Sequence, residues 1–184
     1  MNLKGISTQQ TMPRPSSSPA MDETSPRLSL AIQYAIPEPR LSRSRLRRWL
    51  QRALDILARQ PAWEDLQPVQ GVQLTLRLVD ADEGRSLNLA YRERDYATNV
   101  LTFEYGADPD GVWHGDIVLC VPVLEREAAE QGKDFHAHAA HLAVHGLLHA
   151  LGFDHIEEDE AQAMEALETR ILASMRIADP YEIR

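Results

Sequence analysis

The chain has 184 residues, a length that suits one domain whose core is large enough to fold without disulfides. Apolar residues make up 43% and charged residues 26%, and no apolar run approaches the roughly 18–20 residues of a membrane span, which excludes a transmembrane helix. The formal net charge of −9 hides an asymmetry: residues 1–60 carry ten Lys/Arg against four Asp/Glu, and residues 61–184 nine against twenty-four, so a basic face for a polyanion survives on an acidic chain.

Residues 1–26 are rich in Ser, Thr, Pro and Gln and lack an apolar run, which predicts a disordered N-terminal extension before a domain over 27–184. The same stretch has no apolar centre of the kind a secretory signal needs, and Met12 and Met21 leave a later natural start open. With Cys120 as the single cysteine there is no intramolecular disulfide, and a cytoplasmic location is expected.

Alternation over Leu28–Tyr34 predicts a first strand. Ser44–Gln60 reads as a helix with Leu46, Trp49, Leu50, Ala53 and Leu57 on one face and Arg45, Arg48, Arg52 and Arg59 nearly opposite. Val72, Leu74, Leu76 and Leu78 alternate in a second strand, Asp82–Arg92 is a short helix, and Asn99–Tyr105 a third strand. Asp116–Val121 gives a fourth strand, and Pro122 suits the first turn of a helix ending near Gly132. His136–Leu151 is a long helix stopped by Gly152, and Glu157–Met175 a last one with Met164, Leu167, Ile171 and Met175 as its seam. The expected fold is α/β (α+β): one small domain with a mixed sheet of about four strands packed with helices.

The chemistry concentrates in His145-Gly146-Leu147-Leu148-His149-Ala150-Leu151-Gly152-Phe153-Asp154-His155. His145 and His149, four apart on a helix, share a face and are spaced to chelate one ion. A left-handed Gly152 folds the chain back so that His155 approaches the same ion, and three imidazoles leave a fourth position open, as in catalytic zinc sites. His114, His136, His138 and His141 lack ligand spacing and read as core or surface residues. The ligand spacing is that of the metzincin proteases, but the position of their general base is Gly146, which has no side chain to take a proton. Cys120, in an apolar strand, reads as core packing rather than a fourth ligand.

His145–His155 also fits H-G-x-L-H-x-x-G-[YF]-D-H, and the chain resembles the YbeY family of zinc-dependent endoribonucleases and rRNA maturation factors. Leu87–Arg92 followed by Thr98–Phe103, Gly115–Cys120, Glu127-Ala128, the acidic helix after His155 and Asp179-Pro180-Tyr181 extend the resemblance over Val72–Tyr181. Ala97 stands where the family has Pro, and Thr102 where it has Ser. The resemblance implies one Zn²⁺ per chain held by His145, His149 and His155, and single-strand RNA cleavage in 16S rRNA 3′-end maturation and ribosome quality control. It also implies a functional arginine at Arg92, expected to stabilise charge at phosphorus with the zinc-bound water as nucleophile. Its ordinary alternative is a surface ion pair with Glu93 or Asp95. Asp154, Thr98 and Asn99 are candidates for orienting a ligand or touching substrate, and Arg45, Arg48 and Arg52 for contacts to the RNA backbone. The expected partners are precursor rRNA, the small ribosomal subunit and ribosome-associated proteins, with no membrane and no DNA. Two other readings stand beside this one: a non-enzymatic ribosome assembly factor whose zinc holds the fold, and a zinc metallopeptidase, disfavoured by Gly146.

Overall fold

Leu28, Leu30 and Ile32 are buried while Arg27, Ser29, Ala31 and Gln33 are exposed, the period of two that makes Arg27–Tyr34 a strand (β1) with one face on a core. The computed structural model describes residues 26–66, 69–153 and 158–182. Of the disordered extension expected over residues 1–26, residues 1–25 lie outside the described residues, as do Asp154 and His155. The remaining elements are α1 (Arg43–Leu57), a 3-10 helix over Pro61–Leu66, β2 (Gly71–Val79), α2 (Ala81–Arg92), β3 (Val100–Ala107), β4 (Val112–Cys120), α3 (Val121–Glu130), α4 (Phe135–Ala150) and α5 (Glu158–Ser174).

The four strands lie in the order β1-β2-β4-β3, parallel except for β3, which runs antiparallel to β4. The mixed α+β sheet and single domain expected from the sequence are what the chain forms. β4 begins earlier than its apolar run indicates, at Val112, because the hairpin with β3 is closed by a side chain. Asp108 Oδ1 accepts from the Asp110 and Val112 amides, each at 2.9 Å, so Trp113 and His114 join the ladder. The 3-10 helix was not expected either.

Two Arg side chains from α1 cover the outer edge of β1. Arg43 donates to the Ile32 carbonyl at 2.7 Å, and Arg47 to those of Leu28 and Leu30 at 3.4 and 3.0 Å. The main core joins the even-numbered residues of β1 and β2 and Ile117 and Leu119 of β4 to α1, α4 and α5. A smaller cluster of Val79, Leu101, Val118, Cys120 and Val123 is completed by Leu87 of α2.

α4 is the central helix. Asp134 caps it by accepting from the Ala137 amide at 3.0 Å, and ten of its sixteen residues are buried, an apolar content that suits a helix enclosed on nearly all sides. It approaches the sheet closely where side chains are missing. A Cβ on Gly115 would stand 2.7 Å from Ala150 Cβ, and one on Gly146 would stand 2.8 Å from Ile117 Cγ2. The helix ends in a Schellman turn: Gly152 is left-handed (φ 81°), its amide donates to the His149 carbonyl at 2.9 Å, and the Phe153 amide to that of Leu148 at 3.0 Å.

Candidate active site

The outer end of α4, the start of β3 and the end of α2 enclose a cleft of about 390 Å³ lined by Arg92, Thr98, Asn99, Val100, Thr102, His145 and His149. Five candidates singled out from the sequence, Arg92, Thr98, Asn99, His145 and His149, therefore line one cleft, although residues 93–144 separate the first from the histidines. Arg45, Arg48 and Arg52 are not among its lining residues. Arg45 donates to the Arg40 carbonyl at 2.7 Å, Arg52 to Ser174 Oγ at 3.2 Å, and Arg48 is exposed on α1.

Each lining residue has a local reason for its position. Asp80 caps α2 by accepting from the Glu83 amide at 2.8 Å, and the helix stops at Glu93, a non-glycine residue in the left-handed region (φ 58°). This places Arg92 on the last helical residue. Arg92 is exposed and makes no ion pair with a described residue; Asp95, weighed above as its partner, is held by Arg85 at 2.6 and 2.8 Å. The loop after α2 is drawn back by Asn88, 1% exposed, whose Nδ2 donates to the Tyr96 carbonyl at 2.8 Å. Asn99 is held on both ends of its amide. Its Oδ1 accepts from the Val100 amide at 2.7 Å, and its Nδ2 donates to Glu127 Oε2 at 3.0 Å. Glu127 Oε2 also accepts from buried His138 Nε2 at 2.9 Å.

His145 and His149 converge through Nε2, the two nitrogens standing 3.1 Å apart. Two ligands each about 2.0–2.1 Å from one ion in a tetrahedral arrangement stand roughly 3.3 Å apart, so the pair fits a shared zinc. The ring of His145 is oriented from behind. Its Nδ1 lies 2.7 Å from Glu168 Oε1, and a carboxylate only accepts, so the proton sits on Nδ1 and the Nε2 lone pair faces His149. Glu168 is fully buried and also accepts from His141 Nε2 at 3.3 Å and from the Tyr181 hydroxyl. Burial pushes its carboxyl up, but the hydrogen bonds from His141, His145 and Tyr181 prevail and hold its pKa at about 2. Among the described residues no group of three or more His, Cys, Asp or Glu is arranged to hold an ion; the third histidine of the motif lies outside them. Cys120 does not line the cleft. It is 2% exposed beside Gly84 of α2, its Sγ donates to the Asp80 carbonyl at 3.3 Å, and burial pushes the thiol up, away from the thiolate a metal needs.

The profile of the family described as Endoribonuclease YbeY matches residues 32–176. The chain belongs to the YbeY endoribonuclease family. An Endoribonuclease YbeY of Bordetella petrii is 65% identical over 156 residues, spanning 85% of this chain and 98% of its own length. One from Bordetella avium is 61% identical over 156 residues, spanning 85% and 94%. The solution structure of a Thermotoga maritima protein, 21% identical, has a TM-score of 0.51 over 83% of this chain and 99% of that one, a likeness of fold. The resemblance carried by the motifs between Val72 and Tyr181 is thereby confirmed and extends back to residue 32.

Against that YbeY pattern, three residues behind the cleft escaped the sequence reading: Glu168, His141 and Asn88. His141, a core or surface residue by its spacing, shares Glu168 with His145. One signal was available for Glu168: it lies four residues after Met164 and three before Ile171, so it puts a carboxylate on the buried seam of α5. Within the described residues no helix is long and apolar enough to cross a membrane.

Proposed function

We propose that this chain is a zinc-dependent endoribonuclease that cuts single-stranded RNA, acting in the cytoplasm on the 3′ end of 16S rRNA precursors and in ribosome quality control. One observation carries the reading: a single cleft joins two imidazole nitrogens 3.1 Å apart to an exposed arginine that no described carboxylate neutralises. Family membership supports RNA as the substrate class.

His145, His149 and His155 would hold the ion, and their neutral donor set suits zinc. When bound, zinc supplies Lewis-acid polarisation of a phosphate and activation of a water. Glu168 keeps the His145 proton on Nδ1. Arg92 directs its planar donor fork at the non-bridging phosphate oxygens as negative charge builds there. Thr98 and Thr102 line the cleft that would receive the RNA strand, and Asn99, tied to Glu127, keeps the wall of the cleft in place. Asp154 follows the turn and is assigned to orienting a ligand. Arg45, Arg48 and Arg52 offer phosphate contacts on α1, apart from the cleft. A peptidase mechanism is disfavoured by packing as well as by composition, because the Gly146 position faces Ile117 and Thr102 with no room for a carboxylate side chain.

The test compares purified wild-type and His149→Ala protein on small-subunit precursor rRNA, with zinc content and circular dichroism measured on the same samples. Cleavage by the wild type, lost together with zinc in a variant that stays folded, is the expected result. Zinc-loaded, folded wild type that leaves the RNA intact across pH would replace this reading with that of a ribosome assembly factor.

A further inference from the structure

Glu168 places a buried carboxylate directly behind the ring of His145. It is fully buried on α5, and its described hydrogen-bond partners are two imidazoles and a phenol, none of them a permanent cation. Burying a carboxylate is costly, and a neutral amide would fill the same space and still accept from His145 Nδ1. The charge is favoured if a cation binds on the far side of the His145 ring, where Nε2 faces His149.

The second oxygen of Glu168 is held from the C-terminal segment. The Tyr181 hydroxyl donates to Oε2, and His141 Nε2 stands 3.3 Å from both that oxygen and the hydroxyl. Tyr181 in turn is fixed through its backbone. Its amide donates to Asp179 Oδ1 at 2.9 Å, Thr169 donates to the same oxygen at 3.2 Å, and Lys133 Nζ donates to the Pro180 carbonyl at 2.7 Å. A cavity of about 240 Å³ lined by His145, Met164, Glu165, Glu168 and Tyr181 lies on this side of the ring.

We infer that Glu168, steadied by Tyr181, is the positioning residue of the metal centre: it fixes the tautomer and angle of His145 and supplies the negative charge behind that ligand, so the C-terminal segment sets metal affinity. This rests on the metal-centre reading above. It assigns to Asp179-Pro180-Tyr181 a task that its distance in sequence from the histidines conceals.

The test titrates full-length, metal-free wild type, Glu168→Gln and Tyr181→Phe with Zn²⁺ against a chromophoric chelator, records the visible spectrum of each with Co²⁺, and measures the Tm of each without metal. Glu168→Gln is expected to bind Zn²⁺ about ten- to a hundredfold more weakly, with an altered Co²⁺ spectrum. Tyr181→Phe, which removes one of the donors to Glu168, should shift affinity in the same direction by a smaller factor. Wild-type Zn²⁺ affinity and Co²⁺ spectra in both variants would overturn the inference and leave the metal centre standing, and a lowered metal-free Tm with unchanged affinity would make Glu168 a structural residue only. A wild type that binds neither Zn²⁺ nor Co²⁺ would overturn the metal centre itself, and the inference with it.

Discussion

Arg92 closes α2 as its last residue and stands exposed on the wall of the histidine cleft. In the fold Asp95 is committed to Arg85, and Arg92 is left at the mouth of the histidine cleft. Arg92→Ala should therefore lower RNA cleavage by roughly a hundred- to a thousandfold, the scale of losing one donor to developing charge, while zinc content and Tm remain at wild-type values. A drop in zinc content or in Tm would instead make it a residue of the fold. His145 and His149 were legible because their residue type and helical spacing carry chemistry by themselves, whereas Arg92 was reached only through the family resemblance. Glu168 was not legible, because its hydrogen bond to His145 depends on how α5 crosses α4, which no local pattern encodes. Asn99, a candidate for touching substrate, lines the cleft with both ends of its amide hydrogen-bonded within the protein.

At the scale of elements, apolar patterning and the Pro and Gly signals located all four strands and five helices; the alternation is plainest in β1, which buries one face and exposes the other. Patterning failed where a side chain rather than a pattern makes the element, as at the Asp108 turn that starts β4 early. α4 illustrates what close packing demands of sequence. Gly146 lies under Ile117 and Thr102, so the helix can touch the sheet only if that position lacks a side chain. Gly146→Glu, which restores the protease-like motif on paper, should not create peptidase activity. It should destabilise the protein by about 1–3 kcal/mol through overpacking, outweighing the better helix propensity of glutamate. Chemical denaturation alongside a casein-cleavage assay reads both outcomes; an undiminished midpoint, or proteolysis, would refute the packing argument.

Across the whole molecule, the network His138–Glu127–Asn99 ties α4 to α3 and to the start of β3. Burial pushes the His138 imidazole below its ordinary value, against the opposing pull of Glu127. The unfolded chain then takes up this proton first as pH falls, so the neutral ring's contribution is fully present above the ordinary value of 6.5 and is lost below it. The slope is at most about 1.4 kcal/mol per pH unit for one proton. Metal-free wild type should accordingly lose Tm between pH 7 and 5.5 more steeply than His138→Gln. Parallel curves for the two proteins would remove His138 as the source. Little of this network was readable in the sequence, where His138 has the look of any helical histidine.

The β1 margin of the sheet is already occupied. Along β1 the outward carbonyls of Leu28, Leu30 and Ile32 are already occupied by the guanidinium groups of Arg43 and Arg47. An incoming β-strand would have to displace three hydrogen bonds to charged donors before forming its own, so the sheet cannot readily be lengthened into a filament from that side. Colloidal behaviour thereby joins folding as a task of the first helix: the arginines that anchor α1 to β1 also keep neighbouring copies from annealing there.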